Sequence, residues 1–447
     1  MRRYLRTISQ LFSPVCDVER SHNQYLESIG LVGLCLYAFA FPFSKELCYI
    51  GEWMMVGAFL FSLPRIWPKL KKDPIWFALL MLLGYQIFKG IIILLDNWRD
   101  IISVLDAIRW RSRFLWVFII AWWIGGSQQS LCKILLLSLM GFLVMLVSGY
   151  ESRSIIAIER GYRINFGINA QQLGLYASTA LCACLLLAKD FWGTRYRYLR
   201  IMIWVVLVFM FFYLMFLSQT RAIWFAMLAF LLFFLISSIM AINSGIIKIK
   251  TNYLMFAVLI LSLLLAPIIL FYSNIIHKRL SHELVTMNEM VSTGFKKIDT
   301  STSIGKRVVL WKWSLDKIKE HPFIGWHIDR YSRENIQKGN IREKDISRFR
   351  HVHNCYLEIL IDQGIIGLCL FLFNPVYVVF SVYACFKERK ISYRYFMTFF
   401  SVVIVFSIAN MTEAYFTSWV FWPYFSILFG GFYSLALWSR LTTENIQ

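Results

Sequence analysis

Charge is scarce in this sequence. Only 16% of its 447 residues are Asp, Glu, Lys or Arg, against about 25% in a soluble domain. Hydrophobic residues reach 58%, above the roughly 45–50% of soluble proteins. The nine cysteines include no C-x-x-C pair, and most sit singly inside apolar runs (Cys35, Cys132, Cys182, Cys184, Cys369). That argues against a redox pair and a zinc-type spacing and leaves the thiols as small hydrophobic filler. No internal repeat or low-complexity tract stands out. A cleavable leader is not evident either. Arg2, Arg3 and Arg6 resemble the start of one, but a polar stretch through Asn23 follows, without a small-residue cleavage site. The first apolar run is expected to be retained.

What is present, again and again, is an apolar run of about 18 residues or more, long enough to cross a bilayer. The expected architecture is an all-α polytopic membrane protein with about 12 transmembrane helices. They fall near residues 27–43, 47–64, 75–95, 113–126, 131–149, 171–189, 199–217, 221–243, 253–273, 356–385, 395–412 and 417–438. The fourth and eleventh are short, and the tenth is long, with a break expected near Asn374–Pro375.

Basic residues orient these spans. The short connections Arg65–Lys72, Lys189–Arg200, Lys248–Lys250 and Lys387–Arg394 follow spans two, six, eight and ten, so they share one side with the basic amino terminus. By the positive-inside rule that side is cytoplasmic. Part of the formal net charge of +20 is therefore topological, and nucleic acid is not the expected partner. The one long connection then lies on the outer face, outside the cytoplasm. It divides the chain into spans one to nine (1–273), a loop domain (274–355) with an amphipathic helix near 304–320, and spans ten to twelve (356–447). Long loops cross the membrane largely regardless of charge, so a basic loop there calls for an anionic, lipid-linked substrate.

Three polar patches meet at this outer face. The first, Ser218-Gln219-Thr220-Arg221-Ala222-Ile223-Trp224, sets an arginine against hydrocarbon, where it needs a partner or must snorkel to the interface. The second runs from Ser303 to Trp311. Ile304, Val308, Trp311, Leu315 and Ile318 recur at helical spacing, with Ser303 as the expected N-cap and His321-Pro322 and Gly325 as the stop. Lys306 and Arg307 occupy its first turn, where the helix dipole disfavours cations, and an arginine fork suits phosphate. The third is His351-Val352-His353-Asn354, leading to Gly364 and Gly367. Asn354 reads as an N-cap, which sets His353 just before a helix at the bilayer surface as a candidate general base. The histidine pair also reads as a metal site, but no carboxylate or cysteine stands at usable spacing, and no metal or other cofactor is expected. Solvated loop histidines and glycines that merely permit helix packing are the plainer readings. Supporting candidates on the same face are Arg163, in Arg163–Gln172 before span six, and Glu413, which closes span eleven. Arg109, Arg111 and Arg113 cluster before span four as anchors or ligands, and Lys89 lies isolated within span three.

Taken together, the patches resemble the O-antigen ligase family and its superfamily of ligases and O-antigen polymerases. The family's motif of His, then Asn, Ser or Gln, nine residues, Gly, two residues and Gly is matched by His353, Asn354, Gly364 and Gly367. Its Ser-x-x-Arg-x-x-Trp-like motif is matched by Ser218, Arg221 and Trp224, and its loop-helix arginine by Arg307 followed by His321-Pro322-x-x-Gly325. The resemblance implies a membrane-embedded glycosyltransferase of the bacterial inner membrane with its active site on the periplasmic face. Such an enzyme moves O-antigen from undecaprenyl-pyrophosphate to a sugar hydroxyl of lipid A–core in lipopolysaccharide biosynthesis, without metal or ATP. His353 is then the expected base, Arg221 and Arg307 the pyrophosphate ligands, and Arg163, His351, Asn354, Glu413 and Lys306 supporting residues. An O-antigen polymerase, whose acceptor is a second lipid-linked glycan, is the alternative. A transporter of lipid-linked glycan is the further one, against which stands the crowding of ionisable residues at the outer ends of the spans.

Overall fold

A computed structural model describes residues 23–96, 98–149, 164, 166–191, 196–243, 281, 284–295, 298–327 and 351–444. The expected ninth span (253–273), the loop segment 328–350 and the residues Arg2, Arg3, Arg6 and Arg163 lie outside them. Every regular element among the described residues is helical. The main helices, in chain order, are α1 (Gln24–Ala40), α2 (Lys45–Leu70), α3 (Pro74–Asp96), α4 (Ile101–Ser112), α5 (Leu115–Ile124), α6 (Gln128–Ser148), α7 (Ala170–Leu186), α8 (Arg197–Leu217) and α9 (Arg221–Asn243), followed by α10 (Ser303–Glu320), α11 (Cys355–Lys387), α12 (Tyr393–Asn410) and α13 (Phe421–Glu444).

Seven of the described helices, α2, α3, α6, α8, α9, α11 and α12, are long and apolar enough to cross a membrane, and α1 and α7 are shorter apolar helices. The fourth span, expected to be short, is α5, ten residues long, or about 15 Å at 1.5 Å per residue. Val117 through Ile124 are all buried because α5 packs along α13. An unexpected helix, α4, precedes it and carries Arg109 and Arg111.

The expected tenth span corrects. α11 runs for 33 residues, but its single non-helical residue is Gly364 (φ 65°, ψ −170°), not the Asn374–Pro375 pair. Only glycine adopts that backbone region readily. Pro375 stays inside the helix, and Asn374 donates its amide to the Leu370 carbonyl at 3.1 Å.

Small residues and paired charges hold the bundle. A side chain at Gly33 would stand 2.6 Å from the Met55 backbone nitrogen, and one at Gly51 2.5 Å from that of Tyr37. α1 and α2 therefore pack backbone to backbone, as small residues permit between membrane helices. At the base of α3 the Asp73 carboxylate accepts the Tyr433 hydroxyl at 2.7 Å and lies 3.4 Å from Arg440. An acid this buried persists because it is paired.

Gly51→Ala is expected to destabilise by about 1–3 kcal/mol through overpacking. Gly57→Ala on the same helix, with nothing within 4 Å of the added carbon, is expected to be neutral or to gain about 0.5–1 kcal/mol. Thermal unfolding in detergent compares the two. Equal melting temperatures would remove the close approach as a source of stability.

Candidate active site

The site forms where the chain enters α11. Asn354 caps the helix, accepting the Tyr356 and Leu357 backbone N–H groups at 3.0 and 3.1 Å, as its side-chain chemistry favours. One turn further on, Glu358 accepts the Val352 N–H at 3.0 Å, so its buried carboxylate shapes the loop below the histidines. α10 lies across this entry. Trp311 donates its indole N–H to the Val352 carbonyl at 3.0 Å, and Leu310, Val352 and Ile361 form a buried core beneath it. The α10 N-cap is Thr302, accepting the Gly305 N–H at 3.1 Å, one residue before the expected Ser303. Leu315, expected on the apolar stripe, is exposed. The covered face instead carries Leu310 with Val309, Trp311, Trp313 and Ile318, because α10 meets the narrow entry of α11 and not a broad surface.

Three side chains converge above the cap. His353 Nδ1 stands 3.1 Å from one oxygen of Glu413, and His351 Nε2 stands 3.2 Å from the other. The two rings meet edge to face with centroids 4.2 Å apart. His351 Nδ1 also accepts the backbone N–H of His353 at 3.3 Å. That pattern gives His351 the tautomer with its proton on Nε2, donated to Glu413. His353 likewise donates Nδ1–H to the carboxylate, which puts its basic lone pair on Nε2. His353 adopts the left-handed backbone conformation, φ 52°, which costs a non-glycine residue about 1–3 kcal/mol. The carboxylate and the Asn354 cap hold it there.

Glu413 is 6% exposed. Burial pushes its carboxyl pKa up. The hydrogen bond from His353, then the charges that His353 and His351 carry in their protonated forms and the charge of Arg307, outweigh burial and hold the group below the usual glutamate value. Arg307, in the first turn of α10, therefore adds its positive charge to the same cluster, with Lys306 half-buried beside it.

Of the residues singled out in the sequence, His351, His353, Asn354, Glu413 and Arg307 are thus gathered at one place. Arg221 opens α9 on an adjoining ledge. Tyr415, two residues past Glu413, donates to the Gln171 carbonyl at 3.2 Å. The neighbouring Ala170 carbonyl accepts from Thr220 at 3.4 Å, next to Arg221. Gln219, two residues before Arg221, is a second left-handed residue (φ 49°). Arg163 lies outside the described residues. The arginines before α5 separate. Arg113 pairs with Glu52 at 3.4 Å, and Arg109 is exposed near Tyr49. Arg111 is buried 4.8 Å from the centroid of Phe416, where its charge reaches Cys355 at the head of α11. No spacing in the sequence separated Arg111 from its neighbours.

The absence of a carboxylate ligand near the histidines is corrected as well. Ligand atoms of His351, His353 and Glu413 lie within 4.8 Å of one another and could hold a metal ion, a two-histidine, one-carboxylate set of the kind that suits zinc. The same distances serve a hydrogen-bonded histidine–carboxylate unit.

Residues 205–372 match the O-antigen ligase family. That stretch contains Arg221, Arg307, His351 and His353 and ends before Glu413. An 87-residue stretch, 18% of the chain, is 32% identical to an uncharacterized protein of Haemophilus influenzae. The match covers 22% of that relative, about a fifth of its length.

A depressed folded-state carboxyl stabilises the protein above its unfolded pKa, near 4.5 for glutamate, and loses that contribution as pH falls through the folded value. Wild type is therefore expected to exceed Glu413→Gln in stability above pH 4.5. The margin should shrink as the pH drops below that value. Unfolding followed by tryptophan fluorescence from neutral to acid pH checks this, and a margin that does not change with pH would remove the charged carboxylate from the cluster.

Proposed function

From the match of residues 205–372 to the O-antigen ligase family, we propose that this multi-pass membrane protein is an O-antigen ligase. It would transfer a glycan from undecaprenyl-pyrophosphate to a sugar hydroxyl of lipid A–core at the periplasmic face of the inner membrane. The observation that carries this reading is the 3.1 Å contact of His353 with Glu413, set beside Arg307 at one end of the bundle.

The chemistry follows from those groups. The acceptor hydroxyl gives its proton to His353 Nε2 as its oxygen attacks the anomeric carbon of the donor. Glu413 stabilises the imidazolium that forms, and His351 fixes the carboxylate from its other oxygen. The bond from the anomeric carbon to the pyrophosphate oxygen breaks, and its electron pair leaves with undecaprenyl-pyrophosphate. Arg307 and Arg221 neutralise the charge that grows there, with Lys306 as a further cation. A single displacement inverts the anomeric centre. The leaving group is already activated, so ATP is not consumed. The histidine–carboxylate unit supplies the base, so no metal is required.

Reconstitution with lipid-linked glycan and lipid A–core, resolved on a gel, is expected to give capped lipid A–core from wild type. His353→Asn preserves a residue that tolerates the left-handed turn and is expected to lower the rate by about 10²–10⁴-fold. Longer lipid-linked glycan in place of capped lipid would assign polymerase activity. Undiminished transfer by the Asn variant would remove His353 as base.

In the same assay, EDTA is expected to leave the wild-type rate within about twofold, well short of the 10–100-fold losses that follow disruption of a metal site. Loss of activity restored by zinc would make His351, His353 and Glu413 a metal centre.

A further inference from the structure

Within the bundle, the break in α11 forms a junction with the turn that follows α10. Trp326 N–H donates to the Ile361 carbonyl at 2.9 Å, His327 N–H to Asp362 at 3.0 Å, Ile365 N–H to Pro322 at 2.9 Å and Ile366 N–H to Phe323 at 3.2 Å. Gly325, itself left-handed at φ 65°, abuts Asp362 so closely that a side chain there would stand 2.6 Å from its carbonyl carbon. α3 meets this junction with three successive polar side chains. Tyr85 donates to the Gln363 carbonyl at 2.6 Å, and the amides of Gln86 and Gln363 bond each other at 2.9 and 3.2 Å. The ammonium of Lys89 donates to the carbonyls of Ile324, of His327 at 2.8 Å and of Asp362 at 2.7 Å.

Lys89 is 3% exposed and lies seven residues from Asp96, the end of α3, or about 10 Å along the helix axis. A charge so placed is expensive unless each of its donors is met. Here its three N–H groups meet three carbonyls from both sides of the junction, and the fully buried Asp362 carboxylate acts on it electrostatically. Methylene stem and ammonium together form a peg joining α3 to both the α10 turn and the first segment of α11.

The unit so pegged carries Arg307 on α10 and His353 at the head of α11. Glu413 belongs to the other side, on the connection between α12 and α13. We propose that Lys89 is a positioning residue. It anchors the α10–α11 entry unit to the bundle and thereby sets the contact of His353 with Glu413. The inference rests on the proposed glycosyl transfer for its kinetic consequence, but the anchoring itself is testable without activity.

The test uses the full chain in detergent, with Lys89→Met as the first variant and Gly325→Ala as the second. The alanine perturbs the same junction from the loop side if the methionine variant does not fold. Pulsed EPR between labels at exposed Lys312 on α10 and exposed Leu60 on α2 reads the position of the unit. A narrow wild-type distance distribution is expected to broaden or shift in either variant. Initial transfer rates at saturating substrate, per folded molecule, are expected to fall at least about tenfold in wild type but less than threefold when Glu413→Gln is already present. Such non-additivity marks groups acting through one contact, and a merely structural lesion would not produce it. An unchanged distance distribution overturns the anchoring. Broadened distances with equal, additive losses in both backgrounds overturn the positioning role. Absence of transfer by wild type would sink the proposed function alone, leaving the distances to judge the peg.

Discussion

A helix broken inside an apolar bundle must find new partners for the backbone groups it frees, and that constraint organises the functional end of this protein. Each buried amide left without a hydrogen bond costs about 1–3 kcal/mol, and more where hydrocarbon excludes water. The break at Gly364 meets the demand by drawing in residues 322–327 as a surrogate neighbour, with α3 supplying Tyr85, Gln86 and Lys89. Because that turn is the continuation of α10, satisfying the break also brings α10 down against the head of α11. The arginine-bearing helix and the histidine-bearing turn are consequently held by one junction.

The second buried demand is electrostatic. Burial raises the carboxyl pKa of Glu413, yet the hydrogen bond from His353 and the charges of the cluster outweigh it and hold that pKa below the usual glutamate value. The carboxylate in return fixes the ring orientation of His351 and His353 and holds His353 in a left-handed conformation that isolated peptides avoid. Such a cluster is organised before any substrate arrives. It needs little rearrangement when charge shifts onto an imidazole or a leaving phosphate.

Much of this was legible in local pattern. Asn354 announced a cap by its chemistry, the helix near residues 304–320 by its turn signals, and the seven long apolar helices by unbroken apolar length. The location of the break was not. Pro375 is the residue that sequence rules favour as a helix breaker, yet the helix absorbs it while Gly364 breaks. The reason is the incoming turn, whose Phe323 and Ile324 backbone occupies the space where a side chain at 364 would stand. Lys89 looked isolated because its carbonyl partners lie as many as 273 residues away in sequence. Leu315 looked buried because spacing reports which residues share a helix face, not how wide the neighbouring surface is.

By itself, then, the sequence determined what one chain neighbour does to the next. It pointed to an all-helical chain with helices long and apolar enough to cross a membrane, to the Asn354 cap, and to the set of basic and imidazole groups near the ends of the spans. Tertiary structure alone decided which of those groups meet. Glu413 pairs with a histidine 60 residues upstream, Arg111 turns inward while Arg109 does not, and the α11 break engages a loop and a lysine from different regions of the chain. Hydrophobic periodicity and capping act over a few residues and are written into the local order. Partners for buried charges and freed backbone groups are selected by the packing of whole helices, which no short stretch encodes.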